Sequence, residues 1–477
     1  MVLAPEAWLI VLPLAWAVLA VLCTPRWQVR IAGTGVVLQL LLAVELARQV
    51  LEGGARVHRV GAWGAPLGID LLADGLAAVM LVLTAVVALA IVLYARVWLV
   101  AERRDAPWLW PLVGALLAGL DLLFLTRDLF NVYVGLELVG LSAVALVAAE
   151  SKAAQVEAAW RYLVASLVAA GAWLLAIALL YGAYGTVSLS VLAEAMDDGV
   201  PLAASLALLI MAIALAVKGA LFPFHYWLPA AHGSAATPVS ALLSALVVKA
   251  PFYLLLRLRL ALPQDVAVSL DLVAAGLGSV AIVYGSWRAF RAERLKLLIA
   301  YSTVAQLGYL FLLFPLLGGG PTALAAGVMQ VVAHALAKAG LFAAAGVAVI
   351  ATGRDTVASL SALAGYLPRT WFAFGFAGVT LMGLPPSGGF LAKWLLIEAA
   401  VATGRWPLIA AVIAGGLLAA LYVFRILARA YRKRPVEAPE AVPRTLEWIA
   451  FGLAAAGFAV GIEAGVIAAL LVHTGAP

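Results

Sequence analysis

Six ionisable side chains stand inside long apolar runs of this sequence: Glu137, Lys218, Lys249, His334, Lys338 and Lys393. Glu137 lies about ten residues, or 15 Å of helix, into its run. In hydrocarbon an unpaired charge costs about 2.5–3.5 kcal/mol on insertion scales. Six of them would cost on the order of 15 kcal/mol, as much as the whole stability of a folded domain. Such groups persist when they pair with one another, shed protons or reach water. The protonation of each then depends on where its neighbour stands, and moving one charge moves a proton at the next. That is an elementary step of proton transfer. His334 and Lys338 are one turn apart on a helix face, a spacing that suits a relay. His225 and His232 are secondary candidates, in a stretch that a broken helix would leave exposed. Asp74 and Asp121 lie near the ends of apolar runs and are expected to face water, and Arg425 is expected to snorkel towards its basic neighbours.

Two of the lysines flank interruptions. Leu215 to Pro229 reads Leu-Ala-Val-Lys-Gly-Ala-Leu-Phe-Pro-Phe-His-Tyr-Trp-Leu-Pro. Leu381 to Lys393 reads Leu-Met-Gly-Leu-Pro-Pro-Ser-Gly-Gly-Phe-Leu-Ala-Lys. Pro223 and the pair Pro385 and Pro386 each remove a backbone donor and break a helix. At membrane depth a broken helix survives only where protein packs around it or water lines it. Two breaks at corresponding places in two halves are the sequence sign of an inverted-repeat transporter.

The elements that carry these residues are membrane helices. Of the 477 residues, 66% are apolar and 11% charged, against roughly 25% charged in a soluble domain. Apolar stretches long enough to span fall at 6–23, 31–50, 71–97, 107–126, 128–150, 157–183 and 202–222. They continue at 238–258, 267–288, 295–316, 322–350, 370–398, 406–430 and 446–472. The expectation is an all-α polytopic membrane protein of about 14 helices, forming a single membrane domain over 1–477. One cysteine, Cys23, excludes a disulfide framework or a thiolate-held cluster on this chain. Five histidines without recognisable pairing indicate neither haem nor another metal site. Glycine-rich nucleotide motifs are missing, so no cofactor is implied. The net charge of +6 comes from basic residues in short loops, which read as topology signals and not as a nucleic-acid surface.

Those loop charges give an orientation. Of the 30 lysines and arginines, five lie within spans, 18 in the loops on one side and seven on the other. The richer set includes Arg26, Arg103, Arg104, Lys152, Arg294, Lys296, Lys433 and Arg434; the poorer includes Arg48, Arg127, Arg257 and Arg405. The positive-inside bias puts both termini outside the cell membrane, which requires an even number of spans. The apolar N-terminus has its first basic residues after the run, unlike a secretory signal.

The stretch Phe124-Leu-Thr-Arg-Asp-Leu-Phe-Asn-Val-Tyr-Val-Gly-Leu-Glu137 resembles the glutamate helix of the antiporter-like membrane subunits. That family is shared by respiratory complex I, membrane-bound hydrogenases and Mrp cation/proton antiporters. Lys218 to Pro229, Thr237-Pro-Val-Ser-Ala-Leu-Leu-Ser and Lys249 resemble the family's broken helix and its successor. The segment from Lys296 to Ser302, Gln306-Leu-Gly-Tyr309, His334 to Lys338, and Gly383 to Phe390 with Lys393 are similar to its second half. The resemblance covers about 70–430. It implies two inverted five-helix repeats, at 107–258 and 267–430, after N-terminal helices in 1–106 and before a C-terminal helix at 446–472. It further implies that Glu137 and Lys218 are the coupled pair of one half-channel, Lys249 a connector, and His334, Lys338 and Lys393 the other half-channel. A lysine after the second break is similar to the D-type member of the Mrp antiporters. There are departures: Ala230 replaces a common acid, Arg127 a glycine, and Pro-Pro-Ser-Gly-Gly-Phe the usual Pro-Pro-Leu-Ser-Gly-Phe.

The expected function is proton translocation within a multisubunit membrane complex, most closely an Mrp-type exchange of Na+ or another monovalent cation for protons. The alternative is a proton-pumping subunit of a complex I-like NADH-quinone oxidoreductase or a membrane hydrogenase. A reading from another class is a stand-alone secondary transporter of a small solute. In itself the chain is expected to be a transporter and not an enzyme, counting as a translocase subunit only in a complex I-like assembly. Its partners would be other membrane subunits, the lipid bilayer, protons and a cation.

Overall fold

The computed structural model describes residues 4–475, leaving out Asp105, Asp198, residues 262–263 and residues 433–438, and gives only the backbone of residues 264–269. Lys433 and Arg434 of the loop-charge count therefore lie outside the described residues. The chain opens with α1 (Pro5–Leu22) and α2 (Pro25–Gly53), then a hairpin of β1 (Arg56–Arg59) and β2 (Asp70–Ala73). The strands pair antiparallel, Arg56 opposite Ala73 and Arg59 opposite Asp70. Next come α3 (Gly75–Ala101), α4 (Leu109–Leu125), α5 (Leu129–Ala148), α6 (Ala153–Tyr184) and the short α7 (Leu189–Met196). The first broken region comprises α8 (Leu202–Lys218), α9 (Leu228–Ser234), α10 (Thr237–Ala245) and α11 (Ala250–Ala261). It is followed by α12 (Gln264–Arg291), α13 (Leu295–Phe311) and α14 (Pro321–Thr352). The second comprises α15 (Pro368–Met382) and α16 (Gly388–Ala402), before α17 (Trp406–Ala430), α18 (Arg444–Ala459) and α19 (Gly465–Leu471). Among the described residues ten helical stretches are long and apolar enough to cross a bilayer. The chain is a mostly helical, multi-pass membrane protein.

Helix ends are set by local chemistry. Asp74, Asp128 and Ser387 cap α3, α5 and α16, each side chain accepting from a backbone N–H three residues on. The two halves of the molecule pack around α14, which touches α10, α15, α16 and α18 and is buried along nearly its whole length. Peripheral helices turn apolar faces outward, with Leu41, Val168 and Leu417 well exposed, as lipid-facing surfaces do.

Four sequence expectations change here. The run 238–258 is not one helix: a 3-10 turn, Val247–Lys249, divides α10 from α11. Pro251 accounts for this, because it has no N–H and its ring crowds the carbonyl four residues earlier. The run 446–472 is also divided, with α18 ending at Ala459. A side chain at Gly461 would overlap the backbone of Pro386 and Ser387, so the end of α18 abuts the second break. Asp74 and Asp121 do not face water; both are fully buried. Finally, of the charges counted in loops, Lys296 is buried and Arg257 largely so, its side chain 15% exposed. The hairpin and the last residues of the chain cover the end of the bundle at Asp74 and Arg257, and the Gly75 N–H donates to His473 O at 3.2 Å.

The buried charge of Asp74 is matched. Its carboxylate accepts from Ala77 N at 2.9 Å and from Arg257 Nη1 at 2.6 Å, and it contacts Arg257 Nη2 as well. Asp121 accepts from Gln39 Nε2 at 2.6 Å, joining α4 to α2. Removing one partner of a buried pair strands the other charge, at a cost of about 3–5 kcal/mol. Asp74→Ala should therefore lower the thermal midpoint of the detergent-solubilised protein markedly. Adding Arg257→Met should recover part of that loss, and unchanged melting in the single variant would contradict the pairing.

Candidate functional site

The first break begins where α8 ends at Lys218. The next residues do not continue the helix: Ala220 has φ +51°, and Pro223 has no N–H to donate back to the preceding turn. Trp227 Nε1 donates back to Val217 O at 2.9 Å and ties the two pieces together. Lys218 therefore projects from a helix end held in the interior. Its Nζ donates to Ser166 Oγ of α6 at 2.8 Å and lies 3.3 Å from Glu137 Oε1 of α5. Glu137 is 18% exposed at its side chain and Lys218 6%. The glutamate thus stands at the edge of the helix packing, between the exposed Val134 and Leu141 of α5, and the lysine stands behind it. A small void beside Lys218, lined by Tyr162, Ser166, Val247, Ala250 and Pro251, reaches the turn that carries Lys249.

Lys249 is fully buried. Its Nζ donates to Ser244 O, a carbonyl in the last turn of α10. Ser244 Oγ shares a 2.8 Å hydrogen bond with Thr303 Oγ1 of α13. Thr303 in turn donates to Ile299 O, and the same carbonyl accepts from Lys338 Nζ, each at 3.1 Å. Lys338 also donates to Ser302 Oγ. Lys249 and Lys338 are therefore joined through four hydroxyl and carbonyl groups.

On α14, Gln330, His334 and Lys338 repeat every four residues and line one face. Gln330 Nε2 donates to Gln306 Oε1 at 3.1 Å, and Gln306 Nε2 donates to Leu381 O at 3.1 Å. Lys393 Nζ donates to that same Leu381 O at 2.6 Å and lies 4.6 Å from the centre of the Tyr309 ring. Leu381 O is available because the residue four places on is Pro385, which has no N–H to offer. Gly383 at φ +80° makes the turn, and a Cβ there would lie 2.5 Å from Lys393 Cδ, so glycine both allows the bend and clears the lysine's path.

Five of the six primary candidates are thus buried, with Glu137 at the edge of the packing; Lys218 pairs with Glu137, and Lys249 with Lys338 and Lys393 with Gln306 fall in two further polar groups. His334 lies between Gln330 and Lys338 on α14, 1% exposed, and neither of its ring nitrogens has a hydrogen-bond partner among the described residues. His225 and His232 are not exposed by the break, contrary to expectation. His232 is fully buried with both nitrogens free, and His225 stacks on Phe222 with centroids 5.4 Å apart. The packing of α9 between α6 and α13 buries His232, and Tyr284 of α12 covers His225 with centroids 4.9 Å apart. Arg425 points inward as expected, donating to Ala292 O at 2.7 Å.

Sequence reasoning missed the neutral members: Ser166, Ser244, Gln306 and Gln330. It also missed Lys296, whose Nζ donates to Ala235 O at the α9–α10 junction. Their periodic placement on faces shared with the lysines was a usable signal for Gln330 only. Among the described residues no group of three or more His, Cys, Asp or Glu side chains could hold a metal ion.

Residues 126–419 match the family described as NADH:quinone oxidoreductase/Mrp antiporter, TM. The chain is 36% identical over 398 residues to NADH-quinone oxidoreductase subunit N of Desulforudis audaxviator, covering 82% of this chain and 78% of that one. It is 29% identical over 411 residues to the D-type component of the Na(+)/H(+) antiporter of Alkalihalophilus pseudofirmus, covering 84% and 81%. A chain in the structure of the Mrp complex from Dietzia sp. superposes with a TM-score of 0.91 at 25% identity, over 99% of this chain and 97% of that one. With its lysines and broken helices inside the matched segment, the chain belongs to the antiporter-like membrane subunit family of NADH:quinone oxidoreductases and Mrp antiporters.

Proposed function

We propose that this chain conducts protons across the plasma membrane as one subunit of a multisubunit complex, and that the complex exchanges Na+ or another monovalent cation for protons. The observation that carries this is the Glu137–Lys218 pair, 3.3 Å apart at the end of a broken helix. When Glu137 moves away, Lys218 loses the charge that favours its ammonium and releases a proton inward. Lys249 receives it across the short gap at Pro251. Lys249 and Lys338 are held apart by the Ser244 and Ile299 carbonyls that each ammonium donates to, so the proton passes between them when the lysines leave those carbonyls, and His334, whose nitrogens have no partner among the described residues, passes it towards Lys393. His225 and His232 flank this row as secondary members. In this reading the chain is a transporter and no cofactor takes part.

The architecture proposed with it is one membrane domain of 14 spans. α8 with α9, α10 with α11, and α15 with α16 each count as one interrupted span, while α7 and α19 do not span. Five spans from α4 to α11 and five from α12 to α17 then form two inverted repeats, since an odd number of crossings returns the second on the opposite face. Both termini lie outside, supported by the loop charges. Other membrane subunits of the complex cover the face that exposes Glu137.

A second reading is a proton-pumping subunit of a complex I-like assembly, favoured by the 36% identity to an NADH-quinone oxidoreductase component. What purifies with the chain separates the two: flavin and iron–sulfur partners mark the redox complex, small membrane subunits alone the antiporter. In either complex, Glu137→Gln or Lys218→Ala should abolish proton flux in proteoliposomes with assembly intact; unchanged flux would remove the basis of the proposal. Ser166→Ala deletes one acceptor of the Lys218 ammonium, worth about 1.5–3 kcal/mol for a charged group. It should slow flux roughly tenfold or more and shift its pH profile, whereas a packing role alone would leave the profile in place.

A further inference from the structure

The last hydrogen-bonded group contains a conflict that the proton path must resolve. Gln330 donates to Gln306, Gln306 donates to Leu381 O, and Lys393 donates to Leu381 O from the other side. A carbonyl oxygen only accepts, so Gln306 must turn its NH2 group towards it and its own oxygen towards Gln330. The amide orientations are therefore dictated by Leu381 O. Two lines of donors meet head-on at one acceptor. Neither an amide nor a carbonyl takes up and hands on a proton in the working range, so no proton crosses from His334 to Lys393 through this group. Lys393 itself has to leave the carbonyl.

Leaving is costly if it strands Leu381 O, because Pro385 supplies no N–H to take the lysine's place. Gln306 removes that cost. Its amide is already 3.1 Å from the carbonyl and remains as donor when the lysine departs. Gln306 and Gln330 are each 2% exposed, so bulk water does not take this role. The Tyr309 ring, 4.6 Å from Nζ, supports the cation as it moves. Its hydroxyl donates to Val412 O at 3.3 Å and fixes the ring.

We propose that Gln306 is a positioning residue for Lys393: it keeps the Leu381 carbonyl bonded while the lysine swings, and so sets how readily Lys393 exchanges its proton. This rests on Lys393 being part of the transport path. Gln330 holds Gln306 from behind and has a smaller effect.

The test uses the intact complex in proteoliposomes, with proton flux followed by a pH-sensitive dye and normalised to assembled complex. Gln306→Met keeps the volume and removes the donor; flux should fall on the order of tenfold or more. Gln330→Leu leaves the Gln306–Leu381 bond in place and should lose several-fold less flux than Gln306→Met. Gln306→His, whose ring N–H reaches as far as the amide, should recover much of the flux. If Gln306→Met matches wild type, or if Gln330→Leu loses as much as Gln306→Met, or if Gln306→His fails to recover, the inference is wrong. Lys393→Ala serves as the separate arm. Wild-type flux in that variant would instead overturn the assignment of Lys393 to the path, whatever Gln306 does.

Discussion

Inside a bilayer every backbone carbonyl needs a donor from the protein, and this one requirement organises the interior of the molecule. Prolines in the helices remove donors and leave specific carbonyls unserved. Pro385 frees Leu381 O, which takes Lys393 and Gln306. The end of α9 leaves Ser234 O, which takes Gln155 Nε2 at 3.1 Å. The end of α10 leaves Ser244 O for Lys249. A soluble protein would give such carbonyls to water. Here long polar side chains fill them: the breaks give Lys249 and Lys393 their acceptors, and without those lysines the breaks would strand carbonyls.

The same requirement makes the row responsive. Glu137 is the only acid among the six, at the edge of the packing, and it touches one lysine directly. Its leverage on the remaining groups passes through neutral hydroxyls and carbonyls, whose partners can be exchanged without creating new charge. Between Lys249 and Lys338 these are the Ser244 and Ile299 carbonyls together with the Ser244 and Thr303 hydroxyls. Amides, with donor and acceptor ends fixed, stand only between His334 and Lys393.

The relatives include a component of a redox enzyme and a component of an antiporter. A shared fold does not by itself decide between such activities. In the function proposed here, the features inside this chain move protons and the subunits around it set what drives that movement.

The residue row, the two proline breaks and the membrane class were legible in the sequence because hydrocarbon makes each buried charge and each proline conspicuous against its apolar neighbours. Helix existence followed from run length for the same reason. Sequence periodicity could not show that Asp74 and Arg257, 183 positions apart, neutralise one another, or that the hairpin and chain end cover them. Nor could it show which carbonyl each lysine meets, since that depends on how α13, α14 and α15 pack. Neutral partners such as Gln306 and Ser166 carry no burial cost large enough to stand out in a sequence. Composition and spacing singled out the charges that stand inside long apolar runs; only the tertiary packing decided which further charges are buried and what each of them touches, because a hydrogen bond is set by distances between helices that the chain order does not contain.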